Sequence, residues 1–266
     1  MMSWDLTPEE IEIKISQMLW SFSRITSFDC AYRFYMQYIA EYKKMENGYS
    51  QFGKFCHEII EKVLKGELDI FSAANYYRKH YYKRVKYPFP YNKYVNLGEK
   101  AYDAGEQYFE NISFDFDRYE ILGVERELEF MVGEYPFHGY ADAIYRDRET
   151  NGLILRDHKT ASFKYLKDGS ISKTDKPHFD LFKKQLYLYS IPLIEEYGKV
   201  DKLSWNMIRD QKILEIPFDE KEFKETQEWA IKQIEEIKQE VLWFPNTSSS
   251  FYCHNICDHR NICPYN

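Results

Sequence analysis

HGYADAIYRD, from His138 to Asp147, and LILRDHKTA, from Leu153 to Ala161, are the two stretches on which the fold turns. Both read as strands, rich in β-branched, aliphatic and aromatic residues, and Asp147 to Asn151 between them reads as the turn of a hairpin. In a strand, residues i and i+2 share a face, so Asp157 and Lys159 point the same way, with Leu153 and Leu155 behind them. If the hairpin closes symmetrically about Glu149 and Thr150, opposed residues sum to 299 and Asp142 faces Asp157. If Asn151-Gly152 instead forms a tight two-residue turn, the sum is 303 and Asp142 faces Ala161. Both sums are odd, so Asp142 lies on the Asp157 face either way.

Two carboxylates side by side in a sheet repel each other unless something compensates. Lys159 alone would make a surface ion-pair triad. A hard divalent cation is the functional reading: a Mg²⁺ or Mn²⁺ ion polarises a phosphate and activates water, while Lys159 orients the nucleophile or neutralises developing charge.

Working outward, Thr7 to Lys44 reads helical, as does Ser50 to Leu64, with Ser50 as N-cap and Phe52, Phe55, Cys56, Ile59, Ile60, Val63 and Leu64 at helical spacing. On that helix Gly53 lies one turn below His57, leaving space beside the imidazole for an ion or a phosphate, which makes His57 a candidate third ligand. Cys56, on the apolar face, reads as core. Helical pattern continues to about Asn111. Strands follow at Ile121 to Val132, Pro136 to Arg146 and Gly152 to Thr160, then a helix from Phe179 to Glu196, strands near Lys202 to Ile208 and Ile213 to Phe218, and an acidic helix from Asp219 to Trp243. Glu125 sits on the first strand, where an acid could assist, but it shares a face with Glu127 and Glu129, which favours a merely solvated side chain. The expected architecture is α/β (α+β): a small central mixed sheet flanked by helices, with a helical N-terminal half. One unit, residues 1–266, is the simplest organisation, with a helical part to about 115, a sheet core to about 218 and a C-terminal helix and tail.

Composition bounds the class. The chain has 266 residues, 44% hydrophobic and 18% aromatic, which is ample for a core. No run approaches the roughly 18 to 20 apolar residues of a membrane span. Asp5, Glu9 and Glu10, with no basic leader before them, do not suit a secretory signal, so a soluble cytoplasmic protein is expected. Five cysteines are too few, and odd in number, for a disulfide framework.

The net charge of −7 argues weakly against nucleic acid, but the charges are segregated. From Tyr76 to Tyr94, six cations (Arg78, Lys79, Lys83, Arg84, Lys86 and Lys93) interleave with seven tyrosines and no acid. Leu214 to Trp243 carries nine acids against four lysines. Cations that track phosphates and rings that stack on bases suit a single-strand groove. A solvated basic helix with buried tyrosines is the bland alternative.

The chain closes with Cys253, Cys257 and Cys263 inside a short tail, a density of thiols that means metal. His254 or His259 would complete a zinc site, whereas Cys30 would complete an all-thiolate one.

Taken in order, Gly-x-x-x-His (Gly53, His57), Gly-x-x-Asp (Gly139, Asp142), Asp-x-Lys-Thr (Asp157, Lys159, Thr160) and Gln-x-x-x-Tyr (Gln185, Tyr189) resemble the RecB-type branch of the PD-(D/E)xK nuclease superfamily. That resemblance implies a restriction-endonuclease-like core. It also implies a metal held by His57, Asp142, Asp157 and the carbonyl of His158, with Lys159 as catalytic lysine and Gln185 and Tyr189 shaping the site and contacting DNA. The same branch includes the AddB subunit of bacterial recombination nucleases and the CRISPR-adaptation nucleases, which close a [4Fe-4S] cluster with one N-terminal and three C-terminal cysteines. Cys30, Cys253, Cys257 and Cys263 match that layout, except that three residues rather than two separate the first tail pair. What the resemblance implies is a stand-alone Mg²⁺- or Mn²⁺-dependent deoxyribonuclease, acting as an exonuclease on single-stranded DNA ends in recombination, repair or phage DNA metabolism. A non-catalytic DNA-binding scaffold with the same fold and a zinc-containing nucleic-acid binder are the rivals.

Overall fold

The computed structural model describes residues 6–265, so Asp5 lies outside the described residues. Where the apolar pattern reads helical from Thr7 to Lys44, three short helices form: α1 (Pro8–Ser16), α2 (Phe22–Ser27) and α3 (Ala31–Phe34), the last continued by a π-helical segment, Tyr35–Ile39. Thr7 and Glu10 cap α1 reciprocally, and Ser21 caps α2. Between them Trp20 leaves the helical path to pair with extended chain. Its N–H donates to the Pro136 carbonyl at 2.8 Å, and its own carbonyl accepts from His138 N at 2.9 Å. Tertiary pairing thus overrides the local period.

Helix α4 (Gly48–Leu64) starts at Gly48, which puts Ser50 inside the first turn and not at a cap. Glycine is required there because a Cβ would come within 2.6 Å of the Phe89 ring. Next come α5 (Ala73–Arg84) and α6 (Leu97–Glu110). Phe55 of α4 stacks on Tyr77 of α5 at 5.6 Å, and these helices bury Phe52, Ile59, Ile60, Tyr81 and Phe109 in one core with Ala143, Tyr145 and Ile154.

Five strands follow: β1 (Tyr119–Val132), β2 (Tyr135–Asp147), β3 (Leu153–Lys159), β4 (Lys202–Met207) and β5 (Lys212–Pro217), in sheet order β1-β2-β3-β4-β5. β2 pairs antiparallel with β3, β3 parallel with β4, and β4 antiparallel with β5. The parallel step needs a crossover, supplied by α7 (Lys176–Tyr197), which opens with Pro177 in its first turn and ends at Gly198 with φ 85°. The acidic α8 (Glu220–Gln239) ends before Trp243, whose φ is 45° and whose ring packs with Phe28, Phe34 and Tyr35. A mixed five-stranded sheet flanked by helices is the α/β fold that the sequence pattern predicts. Among the described residues, no helix is long and apolar enough to cross a membrane.

Cα packing separates two compact units. One comprises residues 1–47, 129–139 and 224–266 and is held by Trp20, Phe34, Phe137, Ile234 and Trp243. The other comprises residues 48–128 and 140–223 and contains α4 to α7 and most of the sheet.

The hairpin register settles one alternative. Ala143 pairs with Arg156 and Tyr145 with Ile154, a sum of 299, so Asp142 stands opposite Asp157. One sheet face therefore carries Asp142, Leu155, Asp157 and Lys159. The other carries Ala143, Tyr145, Arg156 and His158.

Candidate active site

The hairpin, α4 and α7 converge at the end of β3. The apolar spacing of α4 buries Phe52, Phe55, Cys56 and Ile59 and leaves His57 half-buried at the margin of that face. His57 Nε2 lies 2.8 Å from the His158 carbonyl, and Nδ1 lies 3.5 Å from Asp142 Oδ2 and 3.7 Å from Glu125 Oε1. Ligand atoms of His57, Glu125 and Asp142 all fall within 4.8 Å of one another, the spacing a single ion could bridge. The His158 N–H donates to Asp142 Oδ2 at 2.6 Å, which fixes that carboxylate from the backbone.

Asp157 is buried beside them. Lys159 Nζ lies 2.7 Å from Asp157 Oδ2 but donates its aligned hydrogen bond to Gln185 Oε1, at 2.9 Å. Asp157 Oδ2 is thus buried without an aligned hydrogen-bond donor, a carboxylate oxygen with lone pairs to spare. Phe182 of α7 lies under the Lys159 ammonium, 4.7 Å from it. Tyr189, also on α7, is 7% exposed, and burial together with the Asp157 charge raises its pKa to about 12, so it stays a neutral phenol.

The electrostatics follow from packing acids together away from water. Burial first, and then the Asp157 charge, raise the Asp142 pKa to about 7. Burial opposes the His57 cation, yet the hydrogen bond to Glu125 and the charges of Asp142 and Asp157 carry its pKa up to about 9. Protons occupy here what a cation would otherwise neutralise.

The structure brings together His57, Asp142, Asp157, Lys159, Gln185, Tyr189 and the His158 backbone. It departs from the sequence reading in four respects. The close three-ligand group contains Glu125 in place of Asp157. Glu125 has φ 49°, a left-handed kink inside β1 that removes it from the simple alternation with Glu127 and Glu129. The His158 carbonyl is engaged by His57. The gap beside Gly53 is filled by the Thr160 hydroxyl, 3.2 Å from where a Cβ would stand.

In the basic segment, Lys79, Lys83, Arg84 and Lys86 are exposed, as are Tyr82, Tyr87, Tyr91 and Tyr94. Arg78, however, pairs with Glu106 at 2.5 Å and also with Glu110, and Arg84 pairs with Glu58 at 2.7 Å. The acids missing from the segment arrive from α4 and α6.

Separately, Cys30, Cys253, Cys257 and Cys263 line one cavity of about 260 Å³, together with Arg33 and His259. All four are free thiols, while Cys56 is fully buried in the core, as its helical position predicts. His259 is 2% exposed, and neither ring nitrogen has a hydrogen-bond partner among the described residues. Burial pushes the thiols of Cys257 and Cys263 up, which favours their neutral form.

A family model described as the PD-(D/E)XK nuclease superfamily matches residues 19–264. Among solved structures, a "Putative exonuclease" from Eubacterium rectale superposes with a TM-score of 0.52 at 12% identity, covering 95% of this chain and 94% of its own; at that identity the likeness concerns the fold. A second, SSO0001, is 21% identical over 90% of this chain and 96% of its own, with a TM-score of 0.29, and nothing rests on it. No curated protein sequence matches the chain. The family match over residues 19–264, together with an acidic, histidine-containing group at the end of β3, makes this chain a member of the PD-(D/E)XK nuclease superfamily and a metal-dependent nuclease.

Proposed function

We propose that this nuclease is a RecB-type exonuclease that hydrolyses DNA from single-stranded ends with Mg²⁺ or Mn²⁺, as a single nuclease domain serving recombination, repair or phage DNA metabolism. The observation that carries the reading is the buried Asp157 carboxylate, its Oδ2 2.7 Å from Lys159 Nζ, next to the His57, Glu125 and Asp142 group. His57, Asp142, Asp157 and the His158 carbonyl would hold the ion, with Glu125 as a further acid. When bound, the ion supplies charge to a phosphate oxygen and lowers the pKa of an attacking water. Lys159, steadied by Gln185, places a cation where phosphate charge develops. Tyr189, hydrogen-bonded with Gln185 and the Tyr140 backbone, shapes the same space. The exposed Tyr82, Tyr91 and Tyr94, with Lys79, Lys83 and Lys86 nearby in sequence, support strand feeding by stacking and phosphate contact.

Cys30, Cys253, Cys257 and Cys263 would hold a [4Fe-4S] cluster. In support, Asn246 N–H points at Cys30 Sγ from 3.3 Å, and Arg33 stands beside the thiols as a compensating cation. A single zinc ion would draw four sulfurs to roughly 3.8 Å, given Zn–S of about 2.3 Å in a tetrahedron. Zinc on the same thiols, with His254 or His259 completing the set, is the alternative.

The test is cleavage of 5′- and 3′-labelled single- and double-stranded DNA with Mn²⁺, Mg²⁺ or EDTA, on anaerobically purified protein whose iron and zinc are counted. Metal-dependent loss of one labelled end, with kcat lowered about 10²- to 10⁴-fold in Lys159→Ala, is expected. Binding without cleavage under every metal would instead identify a non-catalytic scaffold, and one zinc per chain would displace the cluster.

A further inference from the structure

Behind the catalytic face of β3 lies a second polar cavity, of about 390 Å³, that the reaction does not use. Strand alternation sends Arg156 and His158 into it while Asp157 and Lys159 face the other way. Asn206 Nδ2 donates to Tyr108 Oη at 2.5 Å and lies 3.0 Å from His158 Nδ1. With Nδ1 accepting, the neutral imidazole carries its proton on Nε2. That atom is buried and has no partner among the described residues, and His158 is 5% exposed, so a ligand reaches it by displacing the side chains that cover it. A buried donor left unpaired is costly, and a ligand acceptor would satisfy it.

The rest of the wall describes that ligand. Ile60, Val63 and Leu64 of α4 give it an apolar side, while the Tyr145 ring is covered by the Arg156 guanidinium, 5.1 Å from it. Arg156 and Lys212 are the charged residues of the lining, which contains no carboxylate; Arg156 is engaged with Glu215 at 3.1 Å, and the Lys212 ammonium lies 3.9 Å from the Tyr165 ring. The volume falls within the range of small-molecule sites.

We propose that this cavity is a second ligand site that takes a nucleoside monophosphate: base against the α4 wall, phosphate toward Lys212, and an acceptor on His158 Nε2. The choice of nucleotide rests on the exonuclease reading, since stepwise hydrolysis of DNA releases this species. Occupancy is felt at the reaction centre through one residue. The His158 N–H holds Asp142 Oδ2 at 2.6 Å, and its carbonyl lies 2.8 Å from His57 Nε2, so a nucleotide that pulls on the imidazole shifts both candidate ligands. The site is a product sensor that slows turnover.

Calorimetric titration of dAMP, dTMP and inorganic phosphate into the full chain in EDTA tests binding apart from catalysis. Expected is binding of the nucleotides, but not of phosphate alone, by wild type and by Asp157→Ala equally. Lys212→Glu, an exposed substitution, should weaken it by roughly tenfold or more, and Leu64→Trp, which fills the cavity, should abolish it. In DNA cleavage, dAMP should lower kcat at saturating DNA in wild type and not in Lys212→Glu. Binding lost in Asp157→Ala and kept in Lys212→Glu would place the nucleotide in the reaction centre and overturn the proposal, as would binding of phosphate alone or none at all. If no DNA is ever cut but nucleotide binding follows the Lys212 pattern, the exonuclease reading fails and the second site stands.

Discussion

Glu125 occupies a left-handed backbone conformation, φ 49°, within β1, and its carboxylate stands 3.7 Å from His57 Nδ1. A non-glycine residue held there costs about 1–3 kcal/mol, a cost that persists because the side chain has something to do. Above pH 9, where the His57 cation that Glu125 supports is gone, Glu125→Gly should therefore raise the thermal stability of the metal-free protein by about 1 kcal/mol, while weakening Mn²⁺ binding and slowing cleavage. Melting curves in EDTA beside a Mn²⁺ titration check this. A variant that is both less stable and fully active would show that the kink serves the fold and not the ion.

Protons and metal compete for the same atoms. The His57 pKa, raised to about 9, gives stability that is complete below its unfolded value of 6.5 and is lost as pH rises through 9. The Asp142 pKa, raised to about 7, makes the folded state bind the extra proton, so its contribution also falls as pH climbs from 3.8 through 7. In EDTA both groups favour acid; with Mn²⁺ the protons are displaced, so the metal-induced rise in Tm should grow steadily between pH 6 and 9. A metal increment independent of pH would contradict this.

Gly105→Ala tests the helical half without touching the site. Its Cβ would come within 2.6 Å of Tyr77 Cζ and 2.9 Å of Phe52 Cε2, both in buried rings. Overpacking should cost about 1–3 kcal/mol and lower the Tm accordingly, with kcat per folded molecule unchanged. Chemical denaturation and single-turnover cleavage separate the two effects.

The basic segment divides into exposed lysines and arginines held by acids. Tyr82→Ala and Tyr91→Ala should each weaken single-stranded oligonucleotide binding by about 1–3 kcal/mol and leave duplex binding almost unchanged. Lys83→Ala should reduce the slope of log K against log salt by about 0.7. Arg78→Ala should not, since its guanidinium is held by Glu106 and Glu110. Equal slopes for the lysine and arginine variants would return the segment to a solvated helix face.

What the sequence disclosed is what short-range rules govern. The shared face of Asp142, Asp157 and Lys159 and the burial of Cys56 follow from period-2 and helical spacing, which act over a few residues, whereas sums of 299 and 303 both satisfy that pattern and only the observed pairing decides for 299. What it concealed depends on distant partners. The N-terminal helical pattern could not announce that Trp20 would pair with the chain around Pro136 and His138. The cations of α5 gave no sign of Glu58, Glu106 and Glu110, which lie far from them along the chain. Glu125 read as one of three alternating acids because a single reversed φ leaves no trace in residue order.

The stacking of Phe34 on Trp243, 5.9 Å apart and 7° from parallel, sets an order of events during synthesis. The early aromatic residues emerge from the ribosome without the ring that covers them. At ordinary elongation rates the roughly two hundred residues between take about 10 to 40 s to make. The unit that begins the chain is therefore among the last to close, and for that interval its unfinished face is a target for chaperones and proteases.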